Sequence, residues 1–344
     1  MSYMLKEIEQ QPNVIRNIIR KNESVITAIC REIKKRNIKF ILITARGTSD
    51  NAATFGKYLF GYINGIPTGL VASSLFTLYK RKMNLKNSLV IGISQSGESP
   101  DVVEVLRQSG KQGAYCIAIT NQKNSSITKS AHSVLYCYAG KEKSVPATKT
   151  YTGQLALLYL LSFHHAEKKK ELTSFNKIPD QMAKILSQKE YIQKEIEQYK
   201  FIDECVVLGR GLNYATALET ALKIKETSYL KAEALSGADF MHGPIAIVDK
   251  NFPVIIFAPP DATFNSMMET VKKLVTKQAE RIIISSEKKI LKYATLPIQM
   301  PKIDIIFTPI LYIIIGQLFA YYLCITKGYN PDKPRGLSKI TKTI

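Results

Sequence analysis

Residues 88–106, SLVIGISQSGESPDVVEVL, decide the fold class of this chain. The apolar run 88–94 leads into a turn of serine and glycine that ends at Ser99, and a helical pattern begins at Asp101. A strand that is apolar along its whole length is typical of a parallel sheet covered by helices on both faces. The hydroxyl-rich turn then falls at the carboxyl end of the strand, where open parallel sheets bind their ligands.

Similar apolar strands recur on both sides of this stretch, and helical patterns separate most of them. They read KFILITA (39–45), TGLVAS (68–73), AYCIAIT (114–120), SVLYCYA (133–139), ECVVLGRGL (204–212), FPVIIFAP (252–259) and RIIISS (281–286). Strands that alternate with helices in this way indicate parallel α/β architecture. The sequence therefore predicts two doubly wound parallel-sheet domains, one in each half of the chain.

The domain boundaries follow from composition. A polar, charged stretch separates the two halves and is interpreted as a helical connector. The predicted segments are an N-terminal helical segment (1–38), a first domain (39–166), the connector (167–200), a second domain (201–330) and a C-terminal tail (331–344).

The chain is strongly basic, with 48 lysines and arginines against 28 acidic residues in 344, a net charge of +20. Nucleic-acid binding proteins often show such a charge. Here the lysines are spread along the chain, and no segment interleaves aromatic residues with arginine. We therefore do not expect specific nucleic-acid binding, because an anionic small molecule accounts for the charge equally well.

Cysteine usage and hydropathy bear on whether the protein binds metal, forms disulfides or enters a membrane. The five cysteines form no CxxC pair and no Cys/His cluster, so neither a metal site nor a disulfide framework is expected. The N-terminal residues lack the apolar core of a signal peptide. The apolar stretch 305–326 contains Pro309, Gly316 and Gln317 and is interpreted as a buried helix rather than a membrane span. We expect a cytoplasmic protein without a membrane partner.

Two strand ends carry phosphate-binding chemistry. The turn from Ser94 to Ser99 offers hydroxyls, backbone N–H groups and the positive end of the following helix, which together suit a phosphate dianion. Gly47-Thr48-Ser49 follows another strand and could close the site from the other side. Serine and glycine are also common in ordinary turns. Two such loops at strand ends of one domain favour the phosphate interpretation.

Nucleotide cofactors are not indicated. The P-loop pattern GxxxxGK[ST] is absent from the sequence. Gly209-Arg210-Gly211 follows a strand, but Tyr214 stands where a dinucleotide fingerprint requires its third glycine. We therefore expect no NAD.

A second group of chemical residues lies on a helix of the second half. Glu219, Lys223 and Glu226 are spaced i, i+4 and i+7, so they share one helical face. His242 follows in the turn His242-Gly243-Pro244. A carboxylate and a histidine supply the two proton-transfer groups that sugar-phosphate chemistry requires. The alternatives are a solvated ion-pair face and a structural histidine.

Five motifs, in order, give the chain a family resemblance. They are ARGTSDNAATFGKYLF, IGISQSGESPDVV, SVPATKTYTGQ, GRGLNYATALETALKIKETSYLKAEALSGADFMHGPIAIV and NPDKPRGLSKITKT. From about residue 3 to the end, the sequence resembles the isomerase (SIS) domains of glutamine–fructose-6-phosphate aminotransferase. It is also similar to the stand-alone glucosamine-6-phosphate deaminases built from the same domains.

The resemblance implies a set of site residues. It assigns proton transfer between C1 and C2 to Glu226, ring opening to His242 of a partner subunit, and contact with the sugar hydroxyls to Lys223. Lys339 matches the family's tail lysine. In the synthase that lysine forms a Schiff base with the keto sugar. The residues that match the phosphate and sugar-binding positions are Thr48, Ser49, Ser94, Gln95, Ser96, Ser99, Val145 and Thr148. The family's serine in the sugar loop is Ala147 here, which removes one hydrogen bond to the sugar.

The resemblance also implies a reaction. The synthase carries an N-terminal glutaminase domain with a cysteine directly after the initiator methionine, whereas this sequence has Ser2 and a first predicted strand at residue 39. We therefore expect a glucosamine-6-phosphate deaminase, which releases ammonia and fructose 6-phosphate without a metal or organic cofactor, and a homodimer with shared active sites.

Other functions of the same scaffold remain open at this point. An aldose–ketose isomerase or a phosphorylated-fructosamine deglycase would need the same carboxylate, histidine and phosphate site. A non-catalytic sugar-phosphate sensor would not need Glu226 and His242 together. Fold alone does not decide between them.

Overall fold

The computed structural model describes residues 2–339. Its α-helices are α1 Tyr3–Glu9, α2 Gln11–Lys35, α3 Thr48–Asn64, α4 Ser74–Thr77, α5 Pro100–Lys111, α6 Ser126–Lys129, α7 Lys149–His165, α8 Lys169–Phe175, α9 Ile178–Leu186, α10 Lys189–Ile196, α11 Tyr214–Ser228, α12 Gly237–Met241, α13 Phe264–Thr276, α14 Lys288–Leu291 and α15 Thr308–Thr326. Its strands are β1 Phe40–Thr44, β2 Thr68–Leu70, β3 Ser88–Ile93, β4 Tyr115–Thr120, β5 Ser133–Tyr136, β6 Glu204–Gly209, β7 Lys231–Ser236, β8 Pro253–Phe257, β9 Glu280–Ser285 and β10 Leu296–Gln299.

The strands form two parallel sheets of five, with the orders β2-β1-β3-β4-β5 and β10-β9-β8-β6-β7. Counted from its own first strand, each sheet has the order 2-1-3-4-5, which is doubly wound. This confirms the predicted fold class. Every residue of β3, β4 and β8 is buried, as the continuous apolar runs predict.

The chain divides into two compact units, one around each sheet. The first unit, with β1–β5, comprises Gln10–Glu142, Ala147–Pro179 and, of the described tail residues, Ser338 and Lys339. The second unit, with β6–β10, comprises the N-terminal residues to Glu9, Lys143–Pro146 and Asp180–Leu337. The linear boundaries drawn from composition stay a prediction.

Two strands, β7 and β10, escaped the sequence analysis. Both lie at an edge of the second sheet, and β7 (KAEALS) alternates polar with small residues instead of forming an apolar run. β10 (LPIQ) is short and contains Pro297, which an edge strand tolerates because it has one unpaired side. Both strands are fixed by pairing with a neighbour rather than by their own hydrophobicity.

The second unit contains the most apolar helix of the described chain. Ile305–Thr326 is long and apolar enough to cross a membrane, and 94% of its most apolar window is buried within the protein. Its principal partner is α11, where Thr227 Oγ1 donates a hydrogen bond to the carbonyl oxygen of Ala320 at 3.2 Å. Burial in this unit accounts for the composition, as the sequence interpretation expects.

Gly316 of α15 packs directly against Thr220 of α11. A Cβ atom at this position would lie 3.1 Å from Thr220 Cβ and closer still to its hydroxyl oxygen. That hydroxyl donates to the carbonyl oxygen of Thr216 at 2.8 Å, so moving it breaks a buried hydrogen bond. A small residue is therefore required for these two helices to pack.

We expect Gly316→Ala to lower the free energy of unfolding by about 1–3 kcal/mol, the usual cost of overpacking a core. Thermal and denaturant unfolding would measure the change. Gly61→Ala is the matched control, because Gly61 is also helical and has nothing within 4 Å of the added methyl. That control should be neutral or stabilising by up to about 1 kcal/mol. Equal loss in both variants would contradict the packing argument.

Candidate active site

The turn after β3 is held by its own hydroxyl groups. Ser94 is buried, and its Oγ lies 3.0 Å from Ser99 Oγ across the turn. The backbone N–H of Gly97 donates to Ser94 Oγ at 3.1 Å, and that of Glu98 donates to Ser96 Oγ at 3.3 Å. The turn is therefore a compact loop that presents half-buried serine and glutamine side chains at the start of α5.

Gly97 lets this turn close. Its φ of +68° lies in the left-handed region, and an added Cβ would lie 2.6 Å from Ser125 Cβ. A backbone hydrogen bond from Ile127 N–H to the Gly97 carbonyl, 2.9 Å, ties the turn to α6, the short helix that follows β4. Only glycine fits a position that combines this dihedral angle with this contact.

The loop after β1 lies at the neighbouring strand end. α3 begins at Thr48, and Ser49 is buried and accepts a hydrogen bond from Gln154 Nε2 at 2.9 Å. Arg46, beside this loop, forms an ion pair with the almost fully buried Asp101 in the first turn of α5. The strand order reverses between β1 and β3, and this switch point is where doubly wound sheets bind ligands.

A pocket of 360 Å³ opens beside the serine turn. Its size falls in the usual range for small-molecule sites. Its lining combines amide and hydroxyl groups with three lysines and two glutamates, and consists of Gln95, Ser96, Glu98, Gln122, Lys123, Asn124, Ser125, Lys141, Glu142 and Lys339. Cationic and hydroxyl groups of this kind suit a phosphorylated ligand.

Lys339 lies at the edge of this pocket, held by a carboxylate that the sequence analysis did not single out. Its Nζ lies 2.8 Å from Oε2 of Glu142, whose side chain is fully buried. Burial alone would raise the pKa of the Glu142 carboxyl. The Lys339 ammonium and hydrogen bonds from Thr148 and Thr150 outweigh that effect and hold the pKa below its usual range. Glu142 is therefore an ionised, buried group at the pocket.

In the second unit, α11 carries a buried charged cluster. Lys223 and Glu219 are fully buried, and Lys223 Nζ lies 3.4 Å from Glu219 Oε1 and 2.5 Å from Glu226 Oε2. Burial alone would lower the pKa of the Lys223 ammonium, but the two carboxylates outweigh burial and raise the pKa. The solvated ion-pair face considered for this helix is therefore wrong. Glu226 keeps 23% of its side chain exposed and is the accessible carboxylate of the cluster.

His242 and Val145 are the other predicted site residues of the second unit. His242 is exposed at the end of α12, where its backbone N–H donates to the Asp239 carbonyl at 3.0 Å. The backbone N–H of Val145 donates to the carbonyl oxygen of Asp332 at 3.2 Å. His242 and Val145 belong to the second unit, as do Lys223 and Glu226. The first unit contains the remaining predicted residues, which are Thr48, Ser49, Ser94, Gln95, Ser96, Ser99, Thr148 and Lys339.

Two acidic residues that the sequence analysis also missed fasten the loop around Val145 and the start of α1. Glu7 of α1 accepts hydrogen bonds from the backbone N–H groups of Lys143 (2.5 Å) and Ser144 (3.3 Å). Asp332 accepts from the N–H groups of Tyr3 (2.8 Å) and Met4 (2.7 Å) at the start of α1. Acidic residues are common at such positions in any protein, so no local sequence signal distinguishes these two.

These features define a protein of two parallel α/β units with a serine-rich turn at the switch point of the first. The chain matches the SIS domain over residues 34–163 and 202–327. It therefore belongs to the SIS domain family.

Named relatives agree with this assignment. The chain is 36% identical over 358 residues to glutamine–fructose-6-phosphate aminotransferase [isomerizing] of Clostridium tetani, covering 98% of this chain and 58% of the relative. It thus spans little more than half the length of that enzyme. The C-terminal domain of glucosamine-fructose-6-phosphate aminotransferase from Francisella tularensis shares its fold with a TM-score of 0.86 and 29% identity, over 97% of this chain and 98% of that one.

For a third protein, the similarity is in the fold and not in the sequence. Glucosamine-6-phosphate deaminase from Thermotoga maritima superposes with a TM-score of 0.80 at 21% identity, over 99% of this chain and 100% of that one. Its length matches this chain from end to end.

We expect Ser96→Ala to weaken binding of a hexose 6-phosphate by about 1–3 kcal/mol, the range for a hydrogen bond to a charged group. Titration calorimetry with the sugar phosphate and with the unphosphorylated sugar would measure the effect. Affinity for the unphosphorylated sugar should change little. Equal weakening of both ligands would mean that Ser96 supports the turn through its hydrogen bond from Glu98 N–H and does not bind phosphate.

Proposed function

We propose that this chain is a sugar-phosphate enzyme that deaminates glucosamine 6-phosphate to fructose 6-phosphate and ammonium. The observation that carries the proposal is the first unit's pocket, where the serine turn at the switch point adjoins three lysines, one of them the tail residue Lys339. The relative with 36% identity is named for an amino-sugar phosphate reaction. The fold is shared along its full length with a protein named glucosamine-6-phosphate deaminase.

The chemistry assigns binding to the residues of the first unit. Ser94, Ser96 and Ser99 hold the phosphate with hydroxyl and backbone N–H groups, and Thr48 contributes from the neighbouring strand end. A fixed phosphate holds the sugar chain in one position, so part of the lowering of the barrier is positional. Lys339 stabilises negative charge that develops on the oxygens at C1 or C2.

Proton transfer is assigned to Glu226 and His242. His242 moves a proton between O1 and the ring oxygen and opens the pyranose. Glu226 then removes the C2 proton of the open amino aldehyde and returns a proton to C1, which leaves a 2-imine of the keto sugar. Water adds to the imine carbon, and the C–N bond breaks to give fructose 6-phosphate and ammonia. Lys223, between two carboxylates, holds Glu226 in place.

A second candidate is aldose–ketose isomerisation of a hexose 6-phosphate without loss of nitrogen. The observation that favours it is Ala147 in the sugar loop, because alanine offers no side-chain hydrogen bond to help select one sugar. The same carboxylate and histidine would carry out the proton transfer. Product analysis separates the two reactions, since only deamination yields ammonium.

The purified protein should release ammonium and fructose 6-phosphate from glucosamine 6-phosphate in buffer containing a chelator. Glu226→Gln should lower turnover by at least ~100-fold, the lower range for removing a general base. Glu233→Gln is the matched control, because Glu233 is exposed on β7 of the same unit and has no assigned role. A folded protein that yields no ammonium from any hexosamine phosphate would sink the deaminase proposal. Ketose formation from glucose 6-phosphate alone would support the isomerase.

We also propose a homodimer in which His242 serves the partner's reaction. The exposure of His242, next to the exposed Ala246 and Ile247, leaves this turn available to another subunit. Glu226→Gln and His242→Ala should each be nearly inactive when assayed alone. Mixing the two variants under subunit exchange should restore activity, because some mixed dimers then contain one site with both groups intact. A mixture that exchanges subunits and stays inactive would show that each chain uses its own histidine.

A further inference from the structure

Glu142 is a buried, multiply hydrogen-bonded carboxylate of the first unit. Its side chain is fully buried and accepts four hydrogen bonds. Oε1 accepts from the backbone N–H groups of Thr148 (3.0 Å) and Thr150 (3.1 Å). Oε2 accepts from Thr150 Oγ1 (2.7 Å) and from Lys339 Nζ (2.8 Å).

The two oxygens of this carboxylate contact different parts of the chain. Oε1 binds the first N–H groups of α7, which would otherwise lack a partner inside the helix. Oε2 binds the tail through Lys339, 197 positions away in sequence. A neutral acceptor such as glutamine would suffice for the helix end. The charge matters for the ammonium, because ionised pairs form the stronger hydrogen bonds.

The location of the pair connects it to the ligand. Glu142 and Lys339 line the same pocket as Gln95 and Ser96 of the serine turn. Lys339 keeps a quarter of its side chain exposed, whereas the carboxylate beneath it has no exposed surface. A ligand in the pocket therefore meets the ammonium and not the carboxylate. Glu142 acts on the ligand only through Lys339.

We propose that Glu142 is a positioning residue that fixes the ammonium of Lys339 at the edge of the phosphate pocket. The inference rests on the proposed function, since it deepens the role given there to Lys339. One buried carboxylate thereby joins the start of α7, which carries the sugar-loop residue Thr148, to the catalytic tail. An isolated buried carboxylate is unfavourable, so the pair also holds the tail against the first unit.

The first test is the kinetics of Glu142→Gln on glucosamine 6-phosphate. The amide keeps the size of the side chain and can still accept hydrogen bonds from the N–H groups at the start of α7, but it loses the charge. We expect kcat to fall by at least ~10-fold while KM changes by less than about threefold, because the serine turn is untouched. Thr150→Val is the matched control, since it removes one hydrogen bond to Oε2 and leaves the ion pair. A fall as large in the control would overturn the proposal in favour of a purely structural role.

A double-mutant cycle then asks whether Glu142 acts through Lys339. Lys339→Met removes the ammonium, so adding Glu142→Gln to it should lower kcat by no more than about threefold further. Independent action would instead multiply the two single effects. Multiplicative losses would overturn the positioning role.

A second readout does not depend on turnover. Amine acetylation by a limiting reagent, mapped by mass spectrometry, reports how firmly Lys339 is held. Lys123 and Lys141 line the same pocket and serve as internal references, because both are exposed. Glu142→Gln should raise labelling of Lys339 several-fold relative to these two lysines. Unchanged relative labelling would refute the proposal even in an active enzyme.

The two readouts separate this inference from the proposed function. If the wild-type protein turns over no sugar phosphate while Lys339 labelling still depends on Glu142, the function fails and the positioning of Lys339 stands. If Glu142→Gln does not fold, Glu142→Asp replaces it. Aspartate keeps the charge but is one methylene shorter, so its oxygens should lie farther from Lys339 Nζ and hold it less firmly, which should raise labelling of Lys339 and lower kcat. If labelling of Lys339 and kcat both stay at their wild-type values in Glu142→Asp, the inference is contradicted.

Discussion

A parallel strand that is buried along its whole length can present functional side chains only where it ends. The central strands β3 and β4 of the first unit have no exposed residue, and β8 of the second unit is buried in the same way. Polar groups along such strands would lose their hydration without gaining partners. Polar side chains that can meet a ligand therefore lie outside these strands, and the strand order selects which of the strand-end loops come together. In the first unit the order reverses between β1 and β3, and the serine turn and the loop at Thr48 lie there.

Each unit contains a buried charged group that is paired with an oppositely charged side chain in a lysine–carboxylate cluster. In the first unit a buried carboxylate, Glu142, holds the partly exposed ammonium of Lys339. In the second unit the roles are reversed, since a buried ammonium, Lys223, lies against the partly exposed carboxylate Glu226. Removing one partner from such a pair leaves an uncompensated buried charge, which is strongly destabilising. In each cluster the buried member lies against a partly exposed group of opposite charge.

Local sequence predicted every strand of the first sheet and the three inner strands of the second, but it missed the two edges of the second sheet. Strands such as 88–94 and 252–259 are evident because burial on both faces requires apolar residues throughout. β7 and β10 carry polar, small or proline residues, since an edge strand has one unpaired side. Their strand structure comes from pairing with β6 and β9, which no local pattern records. The apolar stretch 305–326 was correctly interpreted as a buried helix, but its packing against Thr220 through Gly316 depends on a neighbour distant in sequence.

The sequence by itself determined the α/β class, the position of the serine turn at a strand end, and the shared helical face of Glu219, Lys223 and Glu226. These are local properties, because residue spacing along one element sets which side chains share a face. Only the tertiary structure decided that Lys223 is buried and charged. It alone also showed that Glu142, which no sequence pattern singled out, pairs with Lys339, 197 positions away. Burial and long-range ion pairing arise when distant segments fold onto one another, so neither can be deduced from the spacing of residues along the chain.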